Sequence, residues 1–277
     1  MIDCVFKTVG GEIFYMKRFV SDLKKYAEYT KFAAKAELKS EVANSHLSWL
    51  WWILDPLLFM IVYSFLALIV FGKGEMYFSA FVFIGLSIWN FFQNTLKASV
   101  KIVSSNKAIV SKVYLPKYIL VLQKILSNGF KMLISFALVC GMMALYRVPI
   151  TYRVIYALPL VVLLVLLTFG FSTIFCHFGV FVEDLANVTD VLLRLVFYLS
   201  GIFYSISARV KDYPWAANLL LKWNPVAFII NEMRNVLLYA TDPEWAVMGI
   251  WYVVSIILIF IGINTIYKYE NSYVKVM

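Results

Sequence analysis

Few side chains in this 277-residue chain stand at spacings that build a reactive site. The one close group of acids is Glu183-Asp184 with Asp190, the kind of turn that can hold Mg²⁺ or supply a base beside a membrane face. His46 and His177 lie far apart and have no metal-ligand neighbours in sequence, so they read as an interfacial polar residue and a packed residue at the end of an apolar run. Cys4, Cys140 and Cys176 are odd in number, widely spaced and without a CxxC pair, which argues for neither a disulfide nor a metal site. GxxxxGK followed by Ser or Thr, GxGxxG, HExxH and GxSxG are all absent. Nor do the apolar runs carry the ladder of carboxylates that a proton-coupled carrier uses. The sequence gives no sign of nucleotide hydrolysis by this chain; if it performs work, a partner supplies the energy.

The segment suited to receive that partner is 104–117, Ser104 to Lys117, polar and basic between long apolar runs. No acidic residue occurs from Met76 to Val182, whereas Lys97, Lys101, Lys107, Lys112, Lys117, Lys124 and Lys131 all fall within that interval. Lys and Arg near the ends of spans resist translocation, so this stretch is expected on the cytoplasmic side. Ala, Ile, Val, Leu and Tyr are interleaved with the lysines, which predicts a short helix offering an apolar face to a docking protein.

Composition sets the elements around it. The chain is 62% hydrophobic and 15% charged, with a mean hydropathy of +0.81, which excludes an ordinary soluble domain and predicts an all-α integral membrane protein. The seven lysines nearly account for the net charge of +9, so membrane lipids are implied as partners and nucleic acid is not. Residues 1–48 form a cytoplasmic region with eight basic and six acidic residues. Within it Leu23, Tyr26, Ala27, Thr30, Ala34, Leu38 and Val42 recur at helical spacing, an amphipathic helix suited to the membrane surface. Six spans follow in 49–267, at about Trp49–Phe71, Tyr77–Thr95, Asn128–Tyr146, Ile155–Phe178, Val188–Ser207 and Trp245–Tyr267. The first opens on Trp49, Trp51 and Trp52 and carries Asp55-Pro56; Gly72-Lys73-Gly74-Glu75 is an external turn. Asp190 and Arg194 stand four apart, as in a helical acid-before-base pair. Between 208 and 244, Trp215–Trp223 and Val226–Tyr239 are each too short to cross. Separated by Asn224-Pro225, a cap and first-turn pair, they predict a re-entrant helical hairpin entering from outside between spans five and six. Residues 268–277 are a short cytoplasmic tail, which leaves both termini in the cytoplasm.

Five short motifs in this order resemble one family. They are Ser48-Trp49-Leu50-Trp51 with Pro56; Asn106-Lys107 with Lys112-Val113-Tyr114-Leu115-Pro116; Glu183-Asp184; Leu199-Ser200-Gly201-Ile202-Phe203-Tyr204; and Asn224-Pro225 with Arg234. Over nearly its full length the chain resembles the transmembrane subunit of ABC-2 type exporters, in the polysaccharide branch of O-antigen, capsule and teichoic acid permeases. Glu183 stands where that family usually has Arg, and Gly201 where it usually has Pro. The resemblance implies a homodimer in the bacterial inner membrane with two copies of a separately encoded cytoplasmic ABC ATPase subunit. That partner would bind ATP and Mg²⁺, so this chain has no cofactor and no catalytic residue of its own. The cargo implied is a lipid-linked polysaccharide.

The same resemblance implies roles residue by residue. Asn106, Lys107, Ile109, Lys112 and Tyr114 would couple to the ATPase, with Glu183 and Asp184 as a second contact. The first and fifth spans would line a channel, with Trp52, Tyr63, Tyr198, Phe203 and Tyr204 as its aromatic lining, and Asn224, Pro225 and Arg234 would belong to the external hairpin. Aromatic residues make up 18% of the chain, and aromatic faces suit both sugars and lipid. Two rival readings remain: an ABC-2 exporter of drugs or small lipids, and a membrane-embedded glycan transferase built on the acidic turn.

Overall fold

The computed structural model describes residues 17–43, 48–70, 77–209, 213, 215, 218–270 and 272–273. Cys4, His46, the Gly72–Glu75 turn and part of the 208–223 stretch lie outside these residues, as do the side chains of Asp55, Pro56 and Tyr63. The described residues form helices and no strand. Residues 17–25 form α1 and Ala27–Ala43 form α2. They lead to α3 (Ser48–Val70), α4 (Phe78–Val100) and two single-turn helices, α5 (Ile102–Ser105) and α6 (Lys107–Val110). Then come α7 (Lys117–Leu145), a 3₁₀ turn (Tyr152–Tyr156), α8 (Ala157–Phe181), α9 (Leu185–Leu199) and α10 (Ile206–Arg209). A π-helical turn (Leu219–Trp223) precedes α11 (Pro225–Leu237) and α12 (Trp245–Lys268).

Three segments, Lys117–Leu145, Tyr152–Phe181 and Trp245–Lys268, are long and apolar enough to cross a membrane. Helices α3 and α4 have 23 residues each, about 34 Å at helical rise. Helix α4 is the hub. Every residue from Ala80 to Trp89 is buried, and α3, α7, α8, α9 and α11 all pack on it. Small residues set the closest approaches, as is usual where helices pack in lipid. A Cβ on Gly179 of α8 would overlap the Val100 carbonyl of α4, and one on Gly262 of α12 would overlap the Thr173 hydroxyl of α8.

Helix α2 lies along α7, and the stripe read from sequence is its inner face: Thr30 and Ala34 are buried, while Leu38 and Val42 are half-buried. The attachment is largely polar. Glu37 takes the ammonium of Lys124 and accepts from Gln123 (3.2 Å) and Ser127 (3.0 Å), and Glu41 pairs with Lys131 at 2.7 Å. The lysines that stand without acids in their stretch of sequence are thus partly neutralised by acids from elsewhere. Lys97 pairs with Asp190 at 2.9 Å, so Asp190 meets α4 where a partnership with Arg194 is expected from spacing.

Two boundaries differ most from the sequence expectation. Helix α7 begins at Lys117, eleven residues before the expected span, because Leu115-Pro116 stops helix upstream and sets its start. Helix α9 ends at Leu199, well short of the expected Ser207. Gly201 takes a left-handed conformation (φ 61°) there, which ends the helix.

Candidate functional site

The end of the bundle that carries α5 and α6 brings together the first group of expected residues. Asn106 sits between the two turns and its Nδ2 donates to the Ile102 carbonyl (2.7 Å), which holds the break in place. Val103 and Val110 are buried, whereas Lys107, Ile109, Lys112, Val113 and Tyr114 are exposed. Ile109 and Val113 stand four apart and form a small apolar face flanked by the lysines. Helix α5 packs on α8, whose last residues run into Glu183 and Asp184, both exposed. The two expected contact segments therefore sit at one end, with the Gly179–Val100 approach directly behind them.

A polar knot at this end was not legible in the sequence. Arg18 donates to the Tyr114 hydroxyl, and that hydroxyl donates to Glu270. Arg18 also reaches Glu270 (3.3 Å) and lies over the Tyr267 ring (4.6 Å). Tyr118 (3.1 Å) and Tyr267 (2.9 Å) both donate to Asp22. Segments from near the start, middle and end of the chain are thus tied to the residue that closes the exposed turn. Burial, followed by the hydrogen bond to Glu270, pushes the Tyr114 phenol above its ordinary range.

The second group lies toward the other end, where two motifs meet through contacts 24 to 33 residues apart. Asn224 caps α11 as its sequence context predicts, its Oδ1 accepting from the backbone of Val226 (3.1 Å) and Ala227 (3.2 Å), with Pro225 in the first turn. Its Nδ2 also donates to Ser200 (3.2 Å) at the end of α9. Arg234 is buried and fans its guanidinium over three carbonyls: Phe81 (3.0 Å), Gly201 (2.9 Å) and Ile202 (2.7 Å). It also lies over the Phe81 ring. This side chain locks the interruption after α9 against α4. Beside it, Glu232 accepts from Asn231, Asn235 and the backbone of Glu244, and Arg153 pairs with Asp242 at 2.8 Å. The Arg153 hydrogen bond holds the Asp242 carboxyl below its ordinary range.

The expected channel aromatics fall in two places. Phe203 packs on Phe197 (5.4 Å), the Tyr204 hydroxyl donates to the Tyr198 carbonyl (2.8 Å), and Tyr198 is exposed beside them. Trp52 instead meets Phe130 (6.2 Å) and Lys131 (5.7 Å) of α7, lining a polar cavity between α3, α4 and α7. His177 is a packed residue, its Nδ1 at 2.7 Å from the Tyr273 hydroxyl within a cage of aromatic rings. Among the described residues no cluster of three His, Cys, Asp or Glu is placed to hold a metal ion.

The sequence that builds this arrangement is similar to those of known proteins. Residues 29–238 match the model of the ABC-2 type transporter family. The chain is 24% identical over 242 residues to an O-antigen export system permease protein RfbA of Klebsiella pneumoniae, covering 87% of this chain and 92% of the relative. It is 27% identical over 248 residues to a protein of the same name from Myxococcus xanthus, covering 88% and 94%. With the family model spanning about three quarters of its length, this chain belongs to the ABC-2 type transporter family.

Proposed function

We propose that this chain is the membrane-spanning permease subunit of an ATP-driven exporter that moves a lipid-linked polysaccharide across a bacterial inner membrane. The observation that carries this reading is the family match, joined by relatives named as O-antigen export permeases over nearly their whole length. In this reading α3, α4, α7, α8, α9 with its continuation, and α12 are the six spans. The π-helical turn and α11 are the external hairpin, both termini are cytoplasmic, and two copies form the working unit. The α5–α6 turn, with Ile109 and Val113 exposed between lysines, receives the motion of a separate ATPase subunit. Glu183 and Asp184 give a second contact. Helix α3 packs on α4 and α7 whereas α9 packs on α4 and α8, which supports a channel completed by a second copy rather than within one.

Co-purification tests it. The chain, expressed with its ATPase subunit and extracted in mild detergent, is expected to bring that subunit down. Lys107→Glu with Lys112→Glu is expected to release it or to leave its ATPase rate deaf to lipid-linked glycan. A chain that comes down with no nucleotide-binding subunit under those conditions sinks the proposal.

A further inference from the structure

The cavity between α3, α4 and α7 is not accounted for by coupling or by the interruption after α9. Its volume is about 430 Å³, in the range of small-molecule sites. Two polar stripes line it. Ser87, Asn90 and Asn94 follow one face of α4, and Asn128, Lys131 and Ser135 follow one face of α7. Each stripe spans seven residue steps, about 10 Å along its helix. Two carboxamides in an apolar helix are costly unless something polar meets them. Among the described residues neither Asn90 nor Asn94 has a hydrogen-bond partner, although both line the cavity. Asn90 is half-buried and Asn94 exposed, so the polarity of α4 stands open to whatever occupies that space.

The lining says what the occupant is. Among the described residues its one cation and one anion, Lys131 and Glu41, are already paired, so the described lining offers no surplus positive charge for a diphosphate. What remains are the carboxamides of Asn90 and Asn94, each offering donor and acceptor together, that of Asn128, whose Nδ2 already donates to Thr95 (3.0 Å), and two indoles, Trp51 half exposed and Trp52 beside Lys131. Paired donors and acceptors match adjacent hydroxyls, and an indole face matches the C–H face of a pyranose. We propose that this cavity binds a sugar ring of the membrane-borne glycan, within one protomer and apart from the channel aromatics around α9. The proposal rests on the polysaccharide reading given above. It assigns Asn90 and Asn94 as sugar-binding residues and Trp51 as the stacking residue at the rim.

The test uses the full complex with its ATPase subunit in lipid nanodiscs and two radiolabelled probes. One is a polyprenyl diphosphate bearing a single N-acetylhexosamine; the other is the same lipid without sugar. Wild type is expected to retain the sugar-bearing probe more tightly. Asn90→Leu with Asn94→Leu, nearly isosteric and compatible with lipid, is expected to lose that preference by about tenfold while its affinity for the bare lipid is unchanged. Trp51→Leu, on the exposed rim, carries the same expectation and serves should the double variant fail to assemble. If the variants keep the wild-type preference, the cavity assignment is wrong and the export reading stands. If they lose both probes equally, the cavity reads lipid phosphate and the sugar assignment falls. If wild type binds neither probe and its ATPase rate responds to neither, the export reading fails and this one with it.

Discussion

Arg234 is the side chain on which the geometry after α9 depends, and its removal has a calculable cost. Of its three acceptors among the described residues, the Phe81 carbonyl lies within α4, whereas the Gly201 and Ile202 carbonyls follow a helix end and lie outside any helix. Arg234→Met keeps most of the volume and removes the donors. A buried polar group left unsatisfied costs about 1–3 kcal/mol, so the two carbonyls together cost roughly 2–6 kcal/mol. At about 2–4 °C per kcal/mol for a chain of this size, the melting temperature should fall by on the order of 10 °C. Arg234→Lys should recover only part of that, because one ammonium cannot fan across three separated carbonyls. Fluorescence-detected melting of the detergent-solubilised protein reads the first effect. Thiol labelling at Ser205→Cys, just beyond the interruption, reads the loosening. If Arg234→Met melts within about 2 °C of wild type and labels no faster, the guanidinium is not the lock and the reasoning is wrong.

Other perturbations follow from the same contacts. Gly179→Ala should push α8 off the Val100 carbonyl and lower both assembly and melting temperature, while Gly249→Ala, with nothing within 4 Å of its Cβ, should melt like wild type. Glu37→Gln should loosen α2 by stranding the Lys124 ammonium, giving faster proteolysis at α2 without loss of the transmembrane fragment; unchanged cleavage would refute a role for this pair. Asp242 has a folded pKa below its ordinary value, so its ion pair with Arg153 contributes above the ordinary carboxylate range and is lost as pH falls through the folded pKa. Wild type and Asp242→Asn should therefore differ slightly in melting at neutral pH and converge in acid, and a difference that persists in acid would count against the pair.

What was legible in the sequence is what local chemistry decides. Asn224-Pro225 is a helix start whose cap and first turn are both encoded by adjacent residues, and the structure has that start. The inner stripe of α2 was readable from spacing alone. The α9 boundary was not, because one glycine inside the apolar run Leu199 to Tyr204 is a weak stop signal, and its enforcement comes from Arg234, 33 residues away. Lysine partners were hidden for the same reason: Glu37 and Lys124 are 87 residues apart, and no period links them. Asn90 and Asn94 do carry a local signal, two amides one turn apart in an apolar helix, but the facing stripe on α7 emerges only on packing. The Arg18–Tyr114–Glu270 chain joins residues from near both ends and carries no local signal at all.

The pairing of Lys124 and Lys131 with α2 also bears on how the chain is made. Glu37 and Glu41 are synthesised first, yet they meet these lysines only after α7 exists and α2 has docked on it. Throughout insertion the two ammonium groups are therefore bare, and it is in that interval that positive charge holds a segment on the synthesising side. Once the bundle closes, the same groups become fasteners for the surface helix. In the orientation proposed above, topogenic signal and structural clasp would be one pair of side chains used at two successive times. Charge reversal of Glu37 and Glu41 would consequently leave the orientation proposed above intact and spoil only the finished assembly.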